Sequence, residues 1–216
     1  IRPVRPYLRT MADAEKYRGI GAELVRRGKV AAFIVAGGQG TRLGWRGPKG
    51  TFPATPVAGK PLFRVFAEQI LASERKYGVT IPWYVMTSEA NHEETERFFQ
   101  DNRWFGRPQQ STMLFTQGMV PSVDMQGRVL LESPSQPALN PDGHGGSLSA
   151  LRTSGALEHM RSVGVEHLCY FQVDNPNVHV IDPLFVGLHV AAPDSSAEMS
   201  SKSVPKPPPA PSALPP

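Results

Sequence analysis

The sequence predicts an α/β protein with a mostly parallel, Rossmann-like sheet flanked by helices. The first observation is the run VAAFIV at residues 30–35, which carries no charge and ends at a glycine-rich segment. Such a run is typical of a strand buried on both faces, as the strands of parallel sheets are. The second observation is that further apolar runs, at residues 81–87, 113–116 and 167–173, are separated by helical patterns. Strands that alternate with helices indicate βαβ units.

Apolar residues at helical spacing define the segments between these strands. The predicted helices cover residues 11–28, a segment that begins near Pro61, a segment that has Ser88 as its N-cap, and residues 147–163. In the first helix the predicted inward positions are Ala12, Ile20, Leu24 and Val25. Residues 124–132 predict a small hairpin that turns at Gln126–Gly127. His92 lies beside the acidic first turns of the third helix, and we expect it to be exposed.

Length and composition are those of an ordinary globular chain. The 216 residues are enough for one large α/β domain with its own core, and the net charge of +4 is spread along the chain. A charge this small and dispersed does not indicate a surface that binds nucleic acid or a membrane, so neither is an expected partner. The single cysteine, Cys169, excludes a disulfide framework and favours the cytoplasm. No apolar run approaches the roughly 20 residues of a membrane-spanning helix.

Composition divides the chain into three parts. Residues 1–28 are a predicted N-terminal helical segment, and residues 29–202 are the α/β portion. Residues 203–216, SVPKPPPAPSALPP, are rich in proline, which favours extended polyproline over helix or sheet. We expect this tail to be disordered, and a recognition segment for a proline-binding domain is the alternative. Ile1 is not an initiator methionine, so we expect the beginning of the protein to precede it.

A glycine-rich segment with two basic residues follows the first strand. Its glycines are Gly37, Gly38, Gly40 and Gly44. Glycines allow the main chain to approach a phosphate closely and to turn its N–H groups towards an anion. Arg42 and Lys49 add the positive charge that a polyphosphate needs. The segment therefore predicts a phosphate-binding loop, and a plain turn between strand and helix is the alternative.

The spacing of these glycines excludes two familiar phosphate loops. No lysine follows a glycine in the GxxxxGK frame of a Walker A loop. The dinucleotide fingerprint GxGxxG requires its third glycine where Leu43 stands, one place before Gly44. A dinucleotide-dependent oxidoreductase, with Glu89 as its ribose-binding acid, is therefore disfavoured.

Four features are expected to meet at one edge of the sheet. They are the loop at residues 35–49, Gln117, a second glycine-rich loop at residues 140–146, and Asp174. Each follows a predicted strand or lies between two of them, and ligands of open α/β sheets bind outside the carboxyl ends of the strands. We expect these features to form one ligand site.

Five sequence blocks carry a resemblance to a known family. They are AGGQGTRLG followed by PK, IPWYVMTS, TQGMVP, NPDGHGG and YFQVDNP. In order and spacing they resemble the UTP-dependent sugar-1-phosphate uridylyltransferases, and among these the UDP-N-acetylhexosamine (UDP-N-acetylglucosamine) pyrophosphorylases. The resemblance covers residues 30–202 and implies a nucleotidyltransferase of GT-A-like fold. Members of the family are longer, so the resemblance also implies a C-terminally truncated fragment with an incomplete fold.

The resemblance implies transfer of UMP from UTP to a sugar 1-phosphate, with pyrophosphate as the second product. The nucleotide-binding residues that it implies are Val35, Ala36, Gly37, Gly38, Lys49, Gln117, Gly143 and Asp174. Gln117 and the backbone of Gly143 would read uracil, and Lys49 would bind the UTP phosphates. Asp174 would approach UTP through magnesium (Mg²⁺), since a carboxylate with phosphate oxygens is the usual way to hold that ion.

The resemblance also implies catalytic and sugar-binding residues. Arg42, Lys49 and Mg²⁺ would stabilise the charge that develops during an in-line attack on the α-phosphorus. His144 stands where the eukaryotic branch of the family has a sugar-contacting asparagine. It is therefore the implied sugar contact, and the sugar stays open between N-acetylglucosamine 1-phosphate and a related hexose 1-phosphate.

Three alternatives remain open from the sequence. Asp174 can simply cap the turn at Asn175–Pro176, a common use of aspartate. His144 can be a plain loop residue between glycines. A nucleotide-binding module without catalysis is the alternative function, because the sugar-binding half of the family has no counterpart in this sequence.

Overall fold

The computed structural model describes residues 14–192 and 195–202. The predicted tail at residues 203–216 and the predicted inward position Ala12 therefore lie outside the described residues. The chain divides into two compact units, one of Ala22–Asp182 and one of Ile1–Gly21 with Pro183–Pro216.

Helices and strands alternate along the described residues. The strands are β1 (Val30–Val35), β2 (Trp83–Thr87), β3 (Thr112–Thr116), β4 (Met119–Pro121), β5 (Leu131–Ser133), β6 (Gln136–Pro137), β7 (Leu139–Pro141) and β8 (His167–Gln172). The α-helices are α1 (Ala14–Arg26), α2 (Leu62–Tyr77), α3 (His92–Asp101), α4 (Ser147–Thr153), α5 (Ala156–Ser162) and α6 (Pro183–Ala191). Short 3-10 turns lie at Thr41–Leu43, Lys49–Thr51, Arg103–Gly106 and Gln109–Ser111.

Four parallel strands form the central sheet of the larger unit, in the order β3-β2-β1-β8. Val35 of β1 is in register with Met86 of β2 and Gln172 of β8, so these strands end at one edge. Every residue of β2 is buried, and so is every residue of β1 except Val35. The predicted α/β class with its parallel sheet is confirmed. β2 begins two residues later than predicted, because Pro82 lacks the N–H group that a strand ladder needs.

Helices cover both faces of this sheet. On one face, buried side chains of β1, β2 and β3 pack with those of α4 and α5; they are Ala31, Phe33, Tyr84, Met86, Phe115, Ala150, Leu151, Ala156 and Met160. On the other face, the ring centroid of Phe99 lies 5.0 Å from that of Phe63 and 5.3 Å from that of Trp83. Phe66 meets Phe171 at 5.1 Å. Burial of each such side chain contributes about 1.5–3 kcal/mol, so the sheet is a firm base for the loops at its edge.

The helix predicted at residues 147–163 is two helices. α4 ends at Thr153 and α5 begins at Ala156, and Gly155 between them has a φ of 79°. Glycine adopts this left-handed conformation easily, and the conformation breaks the helical path. Leu151 and Met160 both enter the core. The apolar spacing therefore continues across the break, which is why it predicts a single helix.

The start of α3 also differs from the prediction. Asn91, and not Ser88, precedes the first helical residue, His92. The Ser88 hydroxyl instead donates to the carbonyl oxygen of Gly37, 2.9 Å away. The expectation that His92 is exposed is wrong, because it is half-buried and its Nδ1 atom lies 2.7 Å from the hydroxyl oxygen of Thr87.

Residues 119–141 leave the main sheet and form two small antiparallel pairs, β4 with β7 and β5 with β6. The predicted turn at Gln126–Gly127 is confirmed: Gly127 has a φ of 79°, and its N–H donates to the carbonyl oxygen of Asp124. The Asp124 carboxylate accepts hydrogen bonds from the N–H and side chain of Arg128 and from the N–H of Gln126. These bonds hold its pKa below the usual value. The pairing beside the turn is a single bridge and not a regular hairpin.

The smaller unit contains the N-terminal part of α1 and all of α6 among its described residues. The two helices touch through glycine. A Cβ atom on Gly21 would lie 1.9 Å from the carbonyl oxygen of Pro183, and one on Gly187 would lie 1.8 Å from that of Tyr17. α6 has no counterpart among the predicted helices, although Pro183 suits the first position of a helix.

The predicted N-terminal helix is confirmed as α1. Of its predicted inward positions, Val25 is buried, and Ile20 and Leu24 are half-buried. Within the described ranges, no helix is both long enough and apolar enough to cross a membrane.

Candidate functional site

An open cleft with a volume of about 380 Å³ lies at the carboxyl edge of the parallel sheet. Its lining consists of Val35, Gly37, Gly38, Lys49, Gln117, Asn140, Pro141, Gly143, His144, Gln172, Val173 and Asp174. These residues come from β7, from the ends of β1, β3 and β8, and from the loops that follow β1 and β7. The structure thus brings together all four features that the sequence places at one edge.

The glycine-rich segment after β1 folds back on itself. The N–H of Gly40 donates to the carbonyl oxygen of Gly47 at 2.9 Å, and the N–H of Lys49 donates to that of Gly38 at 3.0 Å. The N–H groups of residues 37–39 make no hydrogen bond with the part of the chain that the structure describes. Three consecutive amide donors are therefore available beside the cleft, as in an anion-binding concavity.

An ion pair crosses the cleft. The Nζ atom of Lys49 lies 3.0 Å from a carboxylate oxygen of Asp174, and the two side chains are 20% and 48% exposed. Lys49 begins a 3-10 turn, and Asp174 follows the last residue of β8 by two positions. The alternative that Asp174 caps the turn at Asn175 does not hold in this structure, because its carboxylate is directed to Lys49.

Gln117 lines the cleft, and its side chain has an unpaired, buried amide oxygen. The residue is 7% exposed, and among the described residues its buried Oε1 atom has no hydrogen-bond partner. An unpaired buried oxygen costs about 1–3 kcal/mol, so this position favours a ligand or a water molecule that donates to it. Gly37 packs closely beside it: a Cβ atom there would lie 2.4 Å from the Gln117 Nε2 atom, so a larger residue would displace this side chain.

Asp142 holds the second glycine-rich loop. Its N–H donates to the carbonyl oxygen of Gly118 at 3.0 Å. Its carboxylate lies so close to Gly118 and Gly146 that Cβ atoms there would come within 2.5 and 1.8 Å of it. The next residue, Gly143, has a φ of 60° and lines the cleft. The glycines of this loop are therefore needed for close packing and for a left-handed backbone.

His144 lines the cleft, and its Nδ1 atom is hydrogen-bonded to the Tyr170 hydroxyl of β8. Burial raises the pKa of Tyr170 above its ordinary value of 10.0, so this hydroxyl keeps its proton at neutral pH. When the hydroxyl donates to Nδ1, the neutral ring carries its proton on Nε2, where it can donate to a ligand. Tyr170 has no role in the predictions from sequence, although it lies on β8, four residues before Asp174.

Two predicted site residues do not line the cleft. Ala36 is fully buried behind it, and its carbonyl oxygen accepts a hydrogen bond from Asn91. Arg42 lies in the exposed 3-10 turn Thr41–Leu43. The cause is the bond between Gly40 and Gly47, which makes the residues between them an exposed tip. The geometry does not bring Arg42 to the cleft, and its catalytic role stays a prediction.

Four residues that line the cleft carry no predicted role: Asn140, Pro141, Gln172 and Val173. Asn140 and Pro141 lie within the predicted loop at residues 140–146, so their position was expected. Gln172 ends β8, and a polar residue at a strand end is a usable signal. Asn91, which lies behind the cleft, has no such signal, because its partners are backbone atoms distant in sequence.

The parallel sheet, the glycine-rich loop after its first strand and the cleft at its carboxyl edge define a Rossmann-like α/β protein with a candidate ligand site. A family model described as UTP–glucose-1-phosphate uridylyltransferase matches residues 9–205. The chain therefore belongs to this family, and the resemblance drawn from the five sequence blocks is confirmed.

Curated relatives and a solved structure agree with this assignment. A "Probable UDP-N-acetylglucosamine pyrophosphorylase" of Dictyostelium discoideum is 41% identical over 209 residues, which cover 91% of this chain and 43% of that protein. "UDP-N-acetylhexosamine pyrophosphorylase-like protein 1" of Homo sapiens is 38% identical over 94% of this chain and 40% of its own. The crystal structure of the Trypanosoma brucei UDP-N-acetylglucosamine pyrophosphorylase matches with a TM-score of 0.74 at 31% identity, over 82% of this chain and 38% of that one. The chain thus spans less than half the length of these relatives, in agreement with the expected fragment.

Proposed function

We propose that this chain is the UTP-binding portion of a uridylyltransferase that transfers UMP from UTP to a sugar 1-phosphate and releases pyrophosphate. The proposed acceptor is N-acetylglucosamine 1-phosphate or a related hexose 1-phosphate, since the similar proteins are named for such sugars. One observation carries the proposal: free amides, a lysine, a carboxylate and an unpaired amide oxygen meet in a single cleft.

Gln117 supports recognition of the uracil base. Uracil presents an N–H donor between two carbonyl acceptors, and a glutamine amide offers one acceptor beside two donors. The buried Oε1 atom of Gln117 lacks a donor, which is what the uracil N–H would supply. Cytosine has an acceptor at that position, so it would leave this oxygen unpaired. The backbone of Gly143, which also lines the cleft, offers a second contact to the base.

Lys49 and the loop amides support binding of the triphosphate. A charged lysine makes a stronger hydrogen bond to a phosphate oxygen than a neutral donor does. The free N–H groups of residues 37–39 add donors that cost no rearrangement, because the loop is already closed by the bond between Lys49 and Gly38. In the proposed complex, Lys49 turns from Asp174 to the phosphates.

Asp174 supports Mg²⁺ as the cofactor. Asp174 is the one carboxylate in the lining of the cleft. Within residues 14–192 and 195–202, no group of three or more His, Cys, Asp or Glu could hold a metal ion by itself. Mg²⁺ is commonly held by one or two carboxylates together with substrate phosphates and water, so a single aspartate fits this ion. When bound, it would neutralise charge on the phosphates.

The proposed reaction is an in-line displacement at the α-phosphorus of UTP. An oxygen of the sugar 1-phosphate forms the new P–O bond, and the bond to pyrophosphate breaks with its electron pair on the leaving oxygen. Lys49 holds the phosphates and stabilises the added negative charge, while the loop amides fix their orientation. His144, with its Nε2 proton, is placed to donate to the sugar 1-phosphate. None of these roles requires Arg42.

The proposed partners are UTP and the sugar 1-phosphate, and the proposed location is the cytoplasm. The single cysteine supports this location, because a chain with one cysteine has no internal disulfide that an oxidising compartment would preserve.

A nucleotide-binding protein that does not turn UTP over is the second candidate. The small share of the relatives that the chain matches favours this candidate, since the matched residues make up 43% of the Dictyostelium relative and 40% of the human one. In both candidates the cleft binds UTP, and only the acceptor reaction separates them.

Titration calorimetry with four nucleotides tests the shared part of the proposal. We expect UTP to bind at least about tenfold more tightly than CTP, ATP or GTP, and Mg²⁺ to strengthen its binding. Gln117→Leu should abolish this preference. Gln69→Leu is the matched control, because the Gln69 Oε1 atom accepts a hydrogen bond from the N–H of Val180 and the residue does not line the cleft. Equal affinities for the four nucleotides would contradict the recognition of uracil by Gln117. Absence of UTP binding would contradict the assignment of the cleft as a UTP site.

A further inference from the structure

Two buried polar side chains lie directly behind the glycine-rich loop. Asn91 is 1% exposed and Ser88 is 2% exposed, and both belong to the connection between β2 and α3. The Nδ2 group of Asn91 donates to the carbonyl oxygen of Ala36 at 3.0 Å and, more weakly, to that of Gly38 at 3.4 Å. The Ser88 hydroxyl donates to the carbonyl oxygen of Gly37 at 2.9 Å. Three consecutive carbonyl oxygens thus accept hydrogen bonds from these two side chains, and that of Gly38 also accepts the N–H of Lys49 at 3.0 Å.

The two side chains are themselves fixed. The N–H of Ser88 donates to the Oδ1 atom of Asn91 at 2.9 Å, and the N–H of Asn91 donates back to the carbonyl oxygen of Ser88 at 3.0 Å. The carbonyl oxygen of Asn91 accepts the N–H of Thr95 in α3 at 3.0 Å. This pair therefore connects the loop to the end of β2 and the start of α3, both of which are well packed.

The geometry of the peptide bond links these contacts to the free amides. In a planar trans peptide the carbonyl oxygen of one residue and the N–H of the next point in opposite directions. Holding the carbonyl oxygens of residues 36, 37 and 38 on the far side therefore directs the N–H groups of residues 37, 38 and 39 the other way. Those are the three amides that make no hydrogen bond with the described part of the chain.

We infer that Asn91 and Ser88 are positioning residues for the phosphates of UTP. They touch no substrate; they hold three peptide groups of the loop so that the N–H groups face the anion. This inference rests on the proposed function and deepens it, because it assigns the orientation of the phosphate-binding amides to two residues outside the cleft lining.

The test compares Asn91→Ala and Ser88→Ala with a matched control at the other end of α3. Asn102 also donates its Nδ2 group to a backbone carbonyl oxygen, that of Phe98 at 2.9 Å, but it does not line the cleft or contact the loop. For each variant, titration calorimetry gives the affinity for UTP and for uridine with Mg²⁺ present, and thermal unfolding reports folding. Uridine carries the base without phosphates, so a general loss of structure affects both ligands and a loss of amide orientation affects UTP.

We expect Asn91→Ala to weaken UTP binding about tenfold or more and uridine binding by less than about twofold. Ser88→Ala should act in the same direction with a smaller effect, and it decides the question if Asn91→Ala does not fold. Asn102→Ala should lower the melting temperature without changing the ratio of the two affinities. Equal losses for UTP and uridine, or UTP affinities unchanged in both variants, would overturn the inference while leaving the proposed function intact. A wild-type chain that does not bind UTP would overturn both.

Discussion

The polar side chains of the cleft differ in whether the protein itself supplies a hydrogen-bond or ion-pair partner. Lys49 and Asp174 satisfy each other across the cleft, whereas the Oε1 atom of Gln117 has no partner within the described residues. A ligand that brings a phosphate with its Mg²⁺ ion and a base N–H would satisfy all three groups. These groups therefore support the proposal that the cleft binds a nucleotide and not only a phosphate.

The first prediction concerns Lys49→Ala. A hydrogen bond to a charged group contributes about 1.5–3 kcal/mol, so UTP should bind about ten- to a hundredfold more weakly. Uridine should bind almost as before, because it has no phosphate to lose a partner. Titration calorimetry with both ligands measures the difference. Lys60→Ala is the control, since Lys60 pairs with Glu68 outside the cleft. If uridine weakened as much as UTP, Lys49 would hold the loop and not the anion.

At the residue scale, the sequence predicts most of the cleft, because strand ends in a parallel sheet lie at one edge. Eight predicted residues line it: Val35, Gly37, Gly38, Lys49, Gln117, Gly143, His144 and Asp174. Ala36 and Arg42 do not, because their placement depends on how the loop folds back between Gly40 and Gly47. That closure uses backbone atoms, which leave no pattern in the side chains. For the same reason the sequence does not predict the role of Asn91, whose side chain donates to backbone carbonyl oxygens.

Among the elements, the break between α4 and α5 depends on one glycine. Gly155→Ala should lower the free energy of unfolding by about 1–2 kcal/mol, because an alanine in a left-handed conformation is strained. No atom within 4 Å would meet the new Cβ atom, so the cost comes from the backbone alone. Urea unfolding measures it.

Gly19→Ala is the matched control for this substitution. Gly19 lies inside α1, and a Cβ atom there also meets nothing within 4 Å. Here alanine should raise the free energy of unfolding by about 0.5–1 kcal/mol, since glycine is a poor helix former. Changes of the same sign in the free energy of unfolding at both positions would contradict the explanation that the left-handed conformation of Gly155 breaks the helix.

A second prediction for the elements concerns the link between β2 and α5. The Tyr84 hydroxyl lies 2.7 Å from the Nδ1 atom of His159, and burial raises the pKa of Tyr84 to about 12. The folded protein thus holds this proton more tightly than the unfolded chain, whose tyrosine has a pKa of 10.0. The resulting stability is present below pH 10 and is lost as the pH rises through 12.

The free energy of unfolding of Tyr84→Phe should therefore be about 1 kcal/mol lower than that of the wild type at neutral pH. In alkali it should decrease less steeply with pH than that of the wild type. Unfolding by urea at a series of alkaline pH values compares the two. Tyr77→Phe is the control, because the Tyr77 hydroxyl makes no hydrogen bond with the described residues. Parallel curves for Tyr84→Phe and the wild type would contradict the prediction.

The elements themselves follow from the sequence where periodicity is strong. The strands at residues 30–35 and 113–116 and the N-terminal helix are confirmed, because buried faces force apolar spacing. The same spacing misses the break at Gly155, since both helices bury the same face. It also misses the start of α3, because Ser88 turns its hydroxyl to Gly37 and leaves the helix start to Asn91.

For the whole molecule, we predict that this chain binds UTP but hardly turns it over. Catalysis needs the acceptor held in line with the α-phosphorus, and well-positioned groups reach effective molarities of about 10⁵ M or more. The proposed contact of this chain to the sugar 1-phosphate is His144, and the chain spans less than half of its relatives' length.

The measurement is pyrophosphate release with N-acetylglucosamine 1-phosphate and with glucose 1-phosphate. This chain is compared with a chimera that continues into the remaining residues of the Dictyostelium relative. The chimera should be faster by far more than about tenfold, because the positioning of the acceptor is restored. Rates within about tenfold of each other would show that the additional residues are dispensable for transfer.

The ion pair between Lys49 and Asp174 has a consequence for how a ligand arrives. Two opposite charges 3.0 Å apart cancel at a distance, so an empty cleft exerts little pull on anions beyond about 10 Å, the screening length at ordinary ionic strength. Asp174 thus acts as the counterion of Lys49. The pair itself therefore does not gather free phosphate or unrelated polyphosphates, and long-range attraction is left to the net charge of +4 spread along the chain. In the proposed complex, selection begins on contact: the phosphates replace the aspartate at Lys49, and the aspartate turns to a magnesium ion that the ligand itself carries.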